Sequence, residues 1–189
     1  MRIDTDKPDF YCEEGMKRFW ILLMFLTLSQ QGAFATEGVC VEGNCTNGYG
    51  IYAWEDGGRY EGDWKNSRRE GQGTMIYPEE ERYTGKWKNG NRHGFGVMIY
   101  TENETYEGNW KNDRRTGTGK MTYLSGEVFT GEWKNDMWHG KGRYLFPDGI
   151  EFSGTWQNDV KHGPGKRKHP DGKVETLEYQ NGVLVEKYQ

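Results

Sequence analysis

Polar and apolar residues alternate along most of this chain. In Tyr60-Glu61-Gly62-Asp63-Trp64 the two rings and the glycine fall on one face of an extended strand, and the two acids fall on the other. Gly73-Thr74-Met75-Ile76-Tyr77 repeats the alternation and puts Gly73, Met75 and Tyr77 together. Between such stretches lie Lys88-Asn89-Gly90 or Lys111-Asn112-Asp113, residue types that tolerate positive φ and favour hairpin turns. Pro147-Asp148-Gly149 is a second turn signal, placed where one pair of stretches meets the next. The pattern predicts consecutive β-hairpins.

The hairpins recur without insertion every 23 residues. One column reads Tyr60, Tyr83, Tyr106, Phe129, Phe152, and a second reads Trp64, Trp87, Trp110, Trp133, Trp156. A third holds Tyr77, Tyr100, Tyr123, Phe146 and, in the same register, His169. Each unit also carries a glycine between its first ring and its Trp, and a later Gly-x-Gly pair. Residues 60–174 therefore read as five full units. Residues 36–59 read as an N-terminal cap with a partial unit, since Gly48, Gly50 and Trp54 fit a second half. Residues 175–189 read as a degenerate capping hairpin, because terminal repeats are atypical and sheet edges need protection.

Composition sharpens this picture. Of 189 residues 28 are Gly, aromatic residues reach 15%, and mean hydropathy is −1.02, which points to thin, repetitive β structure without a thick core. A single sheet has no second layer to cover its apolar face. Rings can instead lie across neighbours that lack a side chain, so Gly62 and Gly73 are expected as gaps beneath Tyr60, Trp64 and Tyr77. The fourteen rings of the three columns are thus expected to be structural. The formal charge of −4 argues against a nucleic-acid partner, whose usual counterpart is basic.

The N-terminus carries a different signal. Lys17 and Arg18 precede an apolar run over residues 19–28, and Ala33-Phe34-Ala35 follows, which are the three parts of a secretory signal peptide. Residues 16–35 are expected to be that signal, a helix cleaved near Ala35; an uncleaved anchor or a buried helix are the other readings. Residues 1–15 are acidic and are expected to be a gene-model extension ahead of a start at Met16. Cleavage would remove Cys12 and leave Cys40 and Cys45, an even pair in an oxidising compartment. A disulfide is expected between them, with free thiols or a metal site as alternatives.

Tyr83-Thr-Gly85-Lys-Trp87-Lys-Asn-Gly90-Asn-Arg-His-Gly94-Phe-Gly96 resembles the MORN repeat (membrane occupation and recognition nexus), and the resemblance recurs five times in phase. It implies an all-β, elongated, single-layer antiparallel sheet. It also implies membrane attachment, lipid binding, dimerisation or scaffolding as functions. The stretch Cys40–Gly50 looks like the opening of exported bacterial arrays of this family. No counterpart of the catalytic domains fused to some members is expected here.

Catalytic chemistry is not expected. His93, His139 and His162 each occupy the position before Gly-x-Gly and His169 falls in the Tyr77 column, so repeat register accounts for all four. No Gly-x-Gly pair extends to a phosphate-binding fingerprint, and neither a cofactor nor a metal is expected. The face opposite the rings carries Glu61, Asp63, Thr84, Lys86, Glu107 and Asn109, a mixed and solvated set. Lys161, Lys166, Arg167 and Lys168 form a basic cluster suited either to edge protection or to an anionic membrane surface. Asn44-Cys-Thr and Asn103-Glu-Thr match glycosylation sequons, relevant only in a eukaryotic source. The expectation is an exported, non-enzymatic scaffold for an unidentified protein partner or a second copy of itself. A peripheral lipid-binding module is the alternative, and a sugar-binding or hydrolytic protein is a weaker third.

Overall fold

The computed structural model describes residues 37–100 and 104–188, so the signal segment, the N-terminal extension and the sequon at Asn103 lie outside the described residues. The strands are β1 (Gly38–Gly43), β2 (Gly48–Trp54), β3 (Arg59–Lys65), β4 (Arg68–Ile76), β5 (Arg82–Lys88), β6 (Asn91–Ile99) and β7 (Thr105–Lys111), followed by β8 (Arg114–Thr122), β9 (Val128–Lys134), β10 (Met137–Leu145), β11 (Glu151–Gln157), β12 (Val160–Lys168), β13 (Val174–Gln180) and β14 (Val183–Tyr188). They form one 14-stranded sheet in strict chain order. Neighbours pair antiparallel from the β1–β2 hairpin through to β13–β14. No helix occurs among the described residues.

Two turn types alternate. Within a unit the chain reverses through residues such as Asn112 (φ 51°) and Asp113 (φ 65°). Two successive positive φ values match the right-handed twist of the flanking strands. Between units a wider turn is closed by Tyr77 N–H donating to Glu81 O at 2.9 Å. The same bond recurs at Tyr100, Tyr123 and Phe146. These four rings therefore open turns and sit half-buried beside the core, rather than lying over the glycines as the alternation suggested. The reason is that the strand ends at Ile76, and Met75 takes the buried place opposite Tyr83.

The second strand of each unit also starts earlier than the alternation implies. Gly62 faces Gly73 and Trp64 faces Arg69, so Asp63 alone spans Glu70, Gly71 and Gln72. That bulge needs a left-handed residue, and Gly71 supplies it at φ 65°. Asp63 Oδ2 accepts the Gln72 N–H at 2.9 Å and closes the bulge. The two glycines of Gly-x-Gly thus do different things. The first turns the backbone and the second makes a gap.

Those gaps line up. Gly50, Gly62, Gly73, Gly85, Gly96, Gly108, Gly119, Gly131, Gly142, Gly154 and Gly165 pair in succession and form one row across the sheet. Rings fill the row from one side: a Cβ on Gly96 would lie 2.3 Å from Tyr83 Oη, and one on Gly165 would lie 2.3 Å from Phe152. Each Trp reaches back one unit, as Trp87 Nε1 donates to Gly73 O at 3.1 Å. Its ring stands edge-on to Tyr83 (5.1 Å) and to Tyr60 (5.4 Å), the favoured aromatic geometry. The core is therefore a single continuous file of interlocked rings.

The file has its own cover. Arg69, Arg92 and Arg115 lie 4.3–4.4 Å above Trp87, Trp110 and Trp133, each Trp belonging to the following unit. Arg92 also donates from Nη2 to Asp113 O at 3.0 Å, pinning the guanidinium to the next unit's turn. Trp138 takes the same column in the fourth unit and stacks on Phe129 at 4.4 Å. Lys161 takes it in the fifth, with its ammonium 4.6 Å from the Phe152 ring. Cations over ring faces are attracted by the ring quadrupole, so the aromatic face is closed without a second layer.

Candidate functional site

The opposite face carries no second layer among the described residues, and its side chains run in rows across the strands. On β6 the open face is apolar from Phe95 onward: Phe95, Val97 and Ile99. Phe95 is 52% exposed, the position that other units fill with Gln72, Thr118, Lys141 or Pro164. Beside it lies a shallow, open groove of about 400 Å³, floored by Gly108, Gly119 and Gly131 and walled by Phe95, Glu107, Asn109, Thr118, Lys120 and Thr130. Asn109 Nδ2 donates to Thr118 O at 3.0 Å, which fixes one wall. The groove offers one ring, one carboxylate, one ammonium and several neutral hydrogen-bonding groups. It suits an extended ligand lying across the strands. Among the described residues there is no cluster of three or more His, Cys, Asp or Glu that could hold a metal.

The four basic residues expected as one patch are divided between the two faces. Lys161 is 8% exposed, packed among Phe146, Phe152 and Tyr179. Arg167 is also on the aromatic side, 3.8 Å from Glu175. Lys166 and Lys168 are exposed on the open face, where Lys166 pairs with Ser153 and Thr176 and Lys168 pairs with Glu151 and Val174.

Both ends of the ring file are modified. At the start, Cys40 and Cys45 stand where later units place the first ring and the Trp, and they are joined by a disulfide. Cys45 Sγ occupies the gap over Gly50, 2.9 Å from where a Cβ would be. The sequence expectation of a disulfide is thus met, and the sulfur bridge acts as the first plug. At the end, Glu175 stands in the column of Tyr60 and Phe152 and is 5% exposed. Lys187 (2.8 Å), Lys173 (3.1 Å) and His169 (3.5 Å) surround it with Arg167. Hydrogen bonds from Lys187, opposed by burial, and then from Lys173 and His169 hold its carboxyl down at about 2.

The sequence reading places Met75 on the ring face, but it does not single out the Arg69 column or the Glu175 cluster. A signal existed for the first, since Arg69, Arg92 and Arg115 recur at the repeat period. His93 and His139 stand alone in their units, while His162 and His169 share the fifth. His162 Nδ1 accepts the N–H of Asn181 at 3.4 Å, as Glu70 Oε2 accepts that of Asn89 at 2.9 Å in an earlier unit. At these two positions the column joins one unit to the turn of the next, whereas His93 Nδ1 and His139 Nδ1 are buried without a hydrogen-bond partner.

An open sheet of in-phase hairpins, plugged by rings and linked turn to turn, defines a solenoid-like β-repeat protein. The MORN repeat model matches residues 46–59, 60–81, 83–105, 106–128, 129–151 and 152–174, and the chain belongs to the MORN-repeat family. No curated protein matches it. Among solved structures it is similar to the TCP10 domain of Danio rerio CPAP, with 12% identity, a TM-score of 0.45, and coverage of 75% of this chain and 68% of that one. It is also similar to the SAS-4 (dCPAP) TCP domain of Drosophila melanogaster in complex with a proline-rich motif of Ana2 (dSTIL), with 14% identity, a TM-score of 0.40, and coverage of 84% and 99%. Likeness at this level bears on neither the function nor the partner of the present chain.

Proposed function

We propose that this chain is a non-enzymatic, exported MORN-repeat scaffold that holds a protein partner on the open face of its sheet. One observation carries the reading. The aromatic face is closed by the chain's own Arg69, Arg92, Arg115, Trp138 and Lys161, whereas the open face leaves the Phe95 ring uncovered beside its groove. Exposed rings flanked by polar groups are typical of interaction surfaces. Export is supported by the Lys17–Ala35 pattern and by the Cys40–Cys45 bridge, since such bridges persist in oxidising compartments. The test uses the purified chain as bait, followed by calorimetry with the captured protein after its own purification. Phe95→Glu should abolish binding. Equal affinity for wild type and Phe95→Glu would remove the open face from the reading.

A second reading, attachment to acidic lipid, is favoured by Lys166 and Lys168 sharing the open face with Lys141 and Arg143. Each such cation near an anionic surface contributes about 1 kcal/mol. Sedimentation with phosphatidylserine vesicles tests it. Binding unaffected by Lys166→Glu with Lys168→Glu would discard it.

A further inference from the structure

One row of the open face has a regular chemistry. From β8 to β13 it reads Lys120, Thr130, Arg143, Ser153, Lys166, Thr176, each residue directly opposite the next. A cation stands on every second strand and a hydroxyl stands between. With strands about 4.8 Å apart, the cations recur about every 9.6 Å. On the β6 side the row continues through Glu107 to Val97, where the exposed Phe95 begins the apolar stretch. Glu107 lies across from Lys120 but forms no ion pair with it. Glu151 takes one N–H of Arg143, at 2.5 Å, and leaves its other donors for a ligand.

We infer that the partner presents an acidic segment in the polyproline II conformation, with carboxylates three residues apart, laid across β8–β12 and anchored by an apolar side chain on Phe95. The spacing selects this ligand. A polyproline II segment makes one turn in three residues and advances about 3.1 Å per residue, so every third side chain falls on the same face at about 9.3 Å and meets Lys120, Arg143 and Lys166 in turn. Thr130 and Ser153 are placed to hydrogen-bond the carbonyls between, which an extended segment leaves unpaired. The sheet's own backbone groups are already paired in the ladder. A continuous anionic surface such as a membrane would meet Glu107, Glu132 and Glu151 on the same face. A peptide bearing charge only at intervals avoids them. The inference rests on the open-face reading above and specifies its partner.

Fluorescence anisotropy with a labelled synthetic peptide tests it. The peptide carries a leucine pair followed by glutamate at every third residue. Binding is expected, falling with salt, and weakened about tenfold or more by Lys120→Gln, Arg143→Gln and Lys166→Gln together. A peptide of equal charge with glutamate at every second residue should bind about tenfold more weakly. Equal binding of the two peptides, or equal binding of the triple variant at an unchanged melting temperature, overturns the inference. So does binding of phosphatidylserine vesicles without binding of the spaced peptide. Should the triple variant unfold, Lys166→Gln alone is used, and an unchanged affinity counts against the inference. If a captured partner is released by Phe95→Glu yet retained by the triple variant, the open-face reading stands and this inference falls.

Discussion

Tyr60 lies flat across Gly73: a Cβ on that glycine would sit 2.2 Å from the phenol oxygen. The hydroxyl itself donates to Asp63 O at 3.1 Å, so the ring is held at both ends and cannot swing aside. The same fit recurs at Tyr83 with Gly96. Gly96→Ala is expected to destabilise the protein by about 1–3 kcal/mol through overpacking. Its φ is not left-handed, so a loss reports the ring contact and not backbone strain. Urea titration checks this, and an unchanged midpoint would mean the ring does not occupy the gap.

Trp110 is 3% exposed and touches the rings of two units. Trp110→Ala should cost about 3–5 kcal/mol, the range for removing a buried aromatic. Phe95→Ala, on the other face, should change stability by less than about 0.5 kcal/mol. Comparable losses at the two positions in thermal melts would contradict the division into a closed and an open face.

Arg92 caps Trp110 and ties it to the turn at Asp113. Arg92→Ala is expected to lose about 1–2 kcal/mol, from the cation–ring contact and the bonds to Asp113. Arg92→Lys should recover only part of it, because an ammonium lacks the planar fork. Full recovery by lysine in chemical denaturation would show that charge alone suffices.

The buried carboxylate at Glu175 gives a pH dependence. Its folded pKa, about 2, is depressed below the usual 4.5 by Lys187, Lys173 and His169. Its contribution is therefore present above about pH 4.5 and is lost as pH falls toward 2. Melting temperature measured down this range should fall more steeply for wild type than for Glu175→Gln. Parallel curves would place the acid sensitivity elsewhere.

Replacing Cys40 and Cys45 by Ser should destabilise the first hairpin by about 2 kcal/mol, the loop-closure value for so short a ring. Hydrogen exchange should report faster exchange confined to β1 and β2. A change spread over β5–β12 would show that the bridge does more than plug the first gap.

Most of the fold was legible because its period is carried by residues that cannot be exchanged silently. Tyr60 needs Gly73, and Asn112 needs its turn, so spacing alone marks strand, gap and reversal. Tyr77 misled the reading because alternation continues past Ile76 into the turn, and only the hydrogen bond from Tyr77 to Glu81 ends the strand. The bulge at Gly71 was hidden for a related reason: a two-residue period cannot register three residues facing one. The cover was missed because arginine reads as a solvated charge in sequence, while Arg69 lies on Trp87. For the candidate site, the mixed charge of the open face was visible, but the row Lys120–Arg143–Lys166 depends on cross-strand register and on no local motif. The basic run at Lys166–Lys168 is continuous in sequence yet divided in space, because neighbours in a strand alternate faces.

Turn-to-turn bonds such as Asp113 N–H to Arg92 O tie each block to the one before it and to no block further away. A whole block could therefore be excised or duplicated with every junction still matched, whereas adding a single residue would turn the following strand inside out. The molecule is in this sense a ruler, and evolution can set its reach by counting.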